Sequence, residues 1–176
     1  MDIAKIMMRR IDKRIFEVKT MKTLILYASQ YGATREIARR IADRIDGAVI
    51  HNLKQSDVPS ITEFDCVIIG SSLYAGMIRR EAKVFLAKNA EGLYNKTLGL
   101  FLSGLEPANE QACFEKNFPS EILRSAKATC FPGGVYDPEK SGLLHKFMLK
   151  IAGVQMAYMD TIDNALIERF VESLRA

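Results

Sequence analysis

Four short apolar runs alternate with stretches of helical periodicity, and this order constrains the chain more than any other feature. The runs 22–28, 66–70, 97–102 and 128–131 are rich in Leu, Ile, Val and aromatic residues, and each ends in small or turn-forming residues. A weaker run lies at 48–53. Each is too short for a buried helix and reads as a strand apolar on both faces. Between them the spacing predicts helices. Ile37, Ala38, Ile41, Ala42 and Ile45 mark one over 34–45, and Ala82, Phe85, Leu86 and Ala90 mark one over 80–90. Pro119 divides two shorter pieces at 109–118 and 120–126. Ile162, Ala165, Leu166, Phe170 and Leu174 mark a closing helix over 161–174, and Val135-Tyr136 could resume the fifth strand. Doubly apolar strands alternating with amphipathic helices imply a parallel sheet covered on both sides. The expectation is an α/β three-layer sandwich with a five-stranded parallel sheet in the order 2-1-3-4-5. It would form one domain over 21–176, with an insertion before the last helix and residues 1–20 as an extension.

Composition narrows the function classes. The 176 residues are 48% apolar and 26% charged, with a formal net charge of +4. That excess is small and could serve an anionic substrate, an anionic membrane surface or nothing at all, and no nucleic-acid partner is expected. No run of about 18 apolar residues occurs, so no membrane-spanning helix is expected. The three cysteines, Cys66, Cys113 and Cys130, form no C-x-x-C pair. Neither structural zinc nor a disulfide framework is expected, and Cys66 and Cys130 read as buried free thiols in a cytoplasmic protein. Residues 1–20 are basic, with Ile3, Ile6, Met7, Ile11 and Ile15 near helical spacing. They could lie on the inner face of the cell membrane or carry no part of the fold.

Ser29-Gln30-Tyr31-Gly32-Ala33-Thr34 stands between the first strand and first helix. In a doubly wound sheet this βα turn adjoins the switch point where ligands bind. The helix start offers unpaired amides and a partial positive charge, which together hold a phosphate. Ser29 and Thr34 add hydroxyls, and Gly32 allows close approach or a positive φ. No Gly-Lys-Ser/Thr follows and the three-glycine dinucleotide pattern is absent. A phosphate monoester such as that of flavin mononucleotide (FMN) fits. The plainer alternative is a Ser/Thr/Gly turn that caps a helix.

The run 24–34, a strand followed by Ser/Thr-x-x-Gly-x-Thr, resembles the flavodoxin signature. The resemblance implies a flavodoxin-like fold, with an isoalloxazine ring gripped by the loops after the third and fourth strands. In the first, Ser71, Ser72, Leu73, Tyr74, Ala75 and Gly76 follow Gly70, and Tyr74 could stack on the ring or be an ordinary surface or core aromatic. The second is Ser103-Gly104-Leu105-Glu106-Pro107, where backbone N–H groups could reach the ring's polar edge. No triad, carboxylate pair or metal cluster emerges, so the flavin would carry the chemistry and no catalytic side chain is expected. His51, on the second strand, reads as structural.

The segment 137–160 is longer than the link in short electron-carrier flavodoxins. Leu143, Leu144, Phe147, Met148 and Ile151 form an apolar stripe there, either a packed helix or an amphipathic surface for a membrane or lipophilic partner. Gly133 to Pro138, with Lys146, Phe147, Met148 and Lys150, resembles the insertion of menaquinone-dependent protoporphyrinogen oxidases. His145 and Asp137 depart from that pattern. The resemblance implies an FMN oxidoreductase of haem biosynthesis that oxidises a porphyrinogen or other small donor and reduces a quinone or redox protein. A flavodoxin-type electron carrier and a non-catalytic phosphate-ligand or protein-binding domain are the alternatives. Carriers are usually acidic, which the +4 charge does not match.

Overall fold

The computed structural model describes residues 21–104, 109–137, 139 and 158–176. The extension 1–20, Leu105 to Pro107, and most of the 137–160 insertion with His145 lie outside the described residues. Strand β3 (Cys66–Tyr74) occupies the centre of the sheet, and its first six residues are buried. It pairs in parallel with β1 (Thr23–Ala28) and β5 (Thr97–Ser103), so that Leu26 and Leu100 flank Ile69. Edge strands β2 (Val49–Asn52) and β6 (Ala126–Cys130) pair with β1 and β5. The parallel order β2-β1-β3-β5-β6 is the expected 2-1-3-4-5.

Helices cover the sheet and supply several of the crossovers that parallel strands need. These are α1 (Ala33–Ala42), α2 (Arg80–Leu93), α3 (Glu110–Asn117), α4 (Ser120–Ser125) and α5 (Asn164–Arg175). Side chains alternate along each strand, which splits the core in two. Val67, Ile69, Leu98 and Leu100 pack with Phe85 and Leu86 of α2 and Phe114 of α3. Ile25, Ile68 and Phe101 pack with Ile37 and Ile41 of α1 and Ile167 and Phe170 of α5. Burying each large aliphatic side chain stabilises the fold by about 1.5–3 kcal/mol. Among the described residues no helix is long and apolar enough to cross a membrane.

Three elements differ from expectation. β3 runs through Ser71–Tyr74, which the sequence pattern reads as loop. Parallel pairing continues to Ser72 opposite Ser103, and β4 (Met77–Ile78) then folds back antiparallel against Leu73 and Tyr74. The small polar residues there hide a strand whose backbone bonds are satisfied. Val135–Tyr136 does not resume β6. It forms β7, antiparallel to β8 (Met159–Asp160), as a separate two-stranded ribbon. The closing helix starts at Asn164, because the Asp163 carboxylate accepts the amides of Ala165 and Leu166 at 2.8 and 3.2 Å. That cap turns Ile167, Phe170, Val171 and Leu174 inward and leaves Ala165 exposed.

Cys66 and Cys130 are buried free thiols, 0% and 4% exposed. Burial pushes their pKa values up to about 11 and about 12. The thiolate is the reactive species, so iodoacetamide at pH 8 is expected to leave both unlabelled in the native protein. Mass spectrometry of native and urea-unfolded samples checks this; native labelling at either position would contradict the burial.

Candidate active site

β1, β3 and β5 end at one cleft, where an open parallel sheet places its ligands. The β1–α1 turn forms one wall through Ser29, Gln30, Tyr31 and Ala33. Ser29 Oγ accepts the Gly32 amide at 3.1 Å, closing the turn on itself. Gly32 has φ 99°, in the left-handed region that glycine adopts without strain. It is the N-cap of α1, and no side chain caps that helix. Among the described residues, the first amides of α1 therefore have neither intrahelical acceptors nor a side-chain cap. Together with the helix dipole they make a seat for an anion.

The Thr34 hydroxyl, expected to face a phosphate, is placed otherwise. Thr34 is fully buried and its Oγ1 lies 2.8 Å from Ser103 Oγ, joining the start of α1 to the end of β5. This bond ties the β1–α1 turn to the end of β5, and Thr34 is not among the residues that line the cleft.

The second wall is Ser72, Leu73 and Tyr74 of β3. Ser71 is buried beneath it and its hydroxyl is committed, donating to Ser72 O at 3.2 Å and accepting the Arg79 amide at 2.9 Å. Ala75 and Gly76, expected beside the ring, make the β3–β4 turn with φ 48° and 74° and do not line the cleft. Buried Asn117 braces that turn: its Oδ1 accepts Ile78 N–H, and its Nδ2 donates to Gly76 O and Cys113 O. Tyr74 lies exposed at the rim, with the Arg79 guanidinium 5.9 Å from its ring centre.

Ser103 and Gly104 close the end of β5. The Gly104 amide, expected to meet a ring, instead donates to Gly133 O at 3.1 Å. The chains touch so closely there that a Cβ on Gly134 would lie 2.8 Å from Gly104 O. Sequence reasoning missed four lining residues, Arg79, Gly134, Val135 and Tyr136. The Gly133-Gly134 pair signalled a tight backbone approach. Arg79-Arg80 put two cations at a helix start, where the dipole favours anions. His51 lies on β2 and does not line the cleft.

Outside the cleft, α1 carries an ion-pair cluster. Glu36 is bonded by Arg39 at 2.9 Å and Arg40 at 2.9 Å, and Arg40 also reaches Asp160 of β8 at 2.6 Å. The Arg39 hydrogen bond, joined by that from Arg40 and opposed by partial burial, lowers the Glu36 pKa from 4.5 to about 2. A carboxylate with a depressed folded-state pKa stabilises above its unfolded value and loses that contribution as pH falls through the folded one. Glu36→Gln is therefore expected to flatten the fall in stability between pH 5 and 2, measured by urea denaturation at stepped pH. A parallel fall in both proteins would count against it.

Comparison with known proteins places this geometry. A family model described as Flavodoxin domain matches residues 24–162. Protoporphyrinogen IX dehydrogenase [quinone] of Escherichia coli K12 is 34% identical over 77 residues, and the same holds for the O157:H7 protein. That match spans 42% of this chain and 42% of the relative's length. Among solved structures, a WrbA-like flavodoxin from Agrobacterium tumefaciens superposes with TM-score 0.55 at 16% identity, over 88% of this chain and 98% of that one. The rubredoxin oxygen:oxidoreductase of Desulfovibrio gigas gives TM-score 0.52 at 14% identity, over 94% of this chain and 39% of that one. At these identities the structures speak to the fold. With the family model covering most of the chain, from the first strand to the threshold of the last helix, the chain belongs to the flavodoxin domain family.

Proposed function

We propose that this chain is an FMN-dependent oxidoreductase that takes electrons from a porphyrinogen, protoporphyrinogen IX by preference, and delivers them to a quinone. The observation that carries the FMN assignment is the uncapped start of α1 behind Gly32, opening on a cleft at the carboxyl ends of β1, β3 and β5. The amides of Ala33, Thr34 and Arg35 would hold the phosphate. Ser72, Leu73, Tyr74 and Gly104 would flank the ring, with Ser29, Gln30, Tyr31 and Ser103 between. Bound FMN would accept two electrons at a time, so the six-electron oxidation to a porphyrin takes three rounds.

The choice of donor and acceptor rests on the partial likeness to the E. coli enzymes, whose name gives both, and on the resemblance of the 137–160 insertion. The net charge of +4 suits a substrate bearing propionates. The protein would work in the cytoplasm at the inner face of the membrane, where a lipophilic quinone is reached from the surface.

The test is direct. Purified protein reconstituted with FMN should show a flavin spectrum, bleach anaerobically on adding protoporphyrinogen IX, and recover with a menaquinone analogue. Failure to bleach and recover with a saturating pair would overturn the substrate assignment. Recovery with a redox protein alone would favour an electron carrier.

A further inference from the structure

We propose that Arg79 contacts the bound flavin and raises its two-electron reduction potential. The proposal rests on the FMN reading above. It starts from the mismatch of Arg79 with its place in the fold. Arg79 is the N-cap of α2, followed by Arg80, and cations there oppose the helix dipole. The helix start gains nothing from its charge.

The side chain is nonetheless held firmly. Arg79 Nη2 donates to Gln30 Oε1 at 2.9 Å, joining the start of α2 to the β1–α1 turn. The guanidinium stands 5.9 Å from the Tyr74 ring centre, and its own amide is anchored on Ser71. Both side-chain partners are neutral. Arg79 enters none of the ion pairs among the described residues. Lys54 Nζ approaches the same Gln30 oxygen at 3.5 Å, so two cations share one amide acceptor.

Arg79 Nε is buried and has no hydrogen-bond partner among the described residues. Buried donors are nearly always satisfied, so this part of the guanidinium adds to the cost of holding the charge here without a ligand. A cation that lines the cleft, with only neutral side-chain partners among the described residues, suits an electron-rich ligand edge. A flavin that takes up two electrons and one proton gains one negative charge. A fixed cation beside it lowers the energy of the reduced form more than that of the oxidised form. Arg suits this role through its permanent charge and planar fork.

The experiment uses the full chain loaded with FMN, as wild type, Arg79→Lys, Arg79→Gln and Arg79→Met. Midpoint potentials come from equilibration with reference dyes, and FMN affinity from fluorescence quenching. Gln and Met should each shift the reduced-to-oxidised ratio at fixed potential about tenfold toward oxidised, a fall of about 30 mV for a two-electron couple. Lys should stay within about threefold of wild type. Two charge-removing variants keep the test decisive if one folds poorly. Potentials for Gln and Met within twofold of wild type would overturn the proposal, as would a Lys value as low as theirs. A wild-type chain that binds no FMN would instead overturn the reading beneath it.

Discussion

Gly70→Ala is expected to destabilise the fold by about 3 kcal/mol, near the upper end for overpacking a core. A Cβ at Gly70 would lie 1.9, 2.2 and 2.3 Å from ring atoms of Phe101. Those two residues are register partners on β3 and β5, so the ring folds over the strand where a side chain would stand. Phe101 is fully buried with Ile25, Ile68 and Phe170 around it, and at interior packing density it has nowhere to go. Thermal unfolding should show a fall of about 6–12 °C. The clash is with a side chain, so shrinking that side chain should relieve it. Gly70→Ala combined with Phe101→Leu is expected to lose less than the sum of the single changes, with a coupling of about 1 kcal/mol or more. A single variant within about 0.5 kcal/mol of wild type, the range of ordinary surface changes, would refute the clash.

Gly70 also shows what could be read before the structure. The apolar strands were legible because a parallel sheet buried on both faces demands continuous Ile, Leu and Val. The β1–α1 turn was legible because its Gly and hydroxyl residues fall where strand gives way to helix. Gly70 itself stands where the apolar run ends. Its neighbours Ser71 and Ser72 carry no apolar signal, although they continue the pairing. Hydroxyl bookkeeping was likewise invisible. Thr34 and Ser103 sit 69 positions apart and find each other through the fold, and Ser71 is claimed by an amide eight residues on. Arg79 could have been noticed from its place at a helix start, but its unmet donor exists in three dimensions alone.

Ala33→Glu is expected to weaken FMN binding about 100-fold or more while leaving the fold at least as stable as before. Ala33 is the first residue of α1, half-buried and on the cleft wall. A carboxylate in the first turn of a helix adds about 0.3–1 kcal/mol of stability by opposing the dipole, and α1 has no side-chain cap to displace. The same charge would compete with the FMN phosphate for the opening amides. At about 5 Å and an effective dielectric near 20, the repulsion is about 3 kcal/mol per pair of unit charges, which corresponds to roughly a hundredfold in affinity. Ala33→Gln introduces similar bulk without charge and should lose less than about tenfold, since a hundredfold needs the full electrostatic cost. Riboflavin, which lacks the phosphate, should bind the Glu and Gln variants alike. Fluorescence titration of both ligands, beside a thermal melt, separates the outcomes. Equal losses of FMN and riboflavin in the Glu variant would mean that the cleft had been deformed. An unchanged FMN affinity would mean that the phosphate is held elsewhere than at the start of α1.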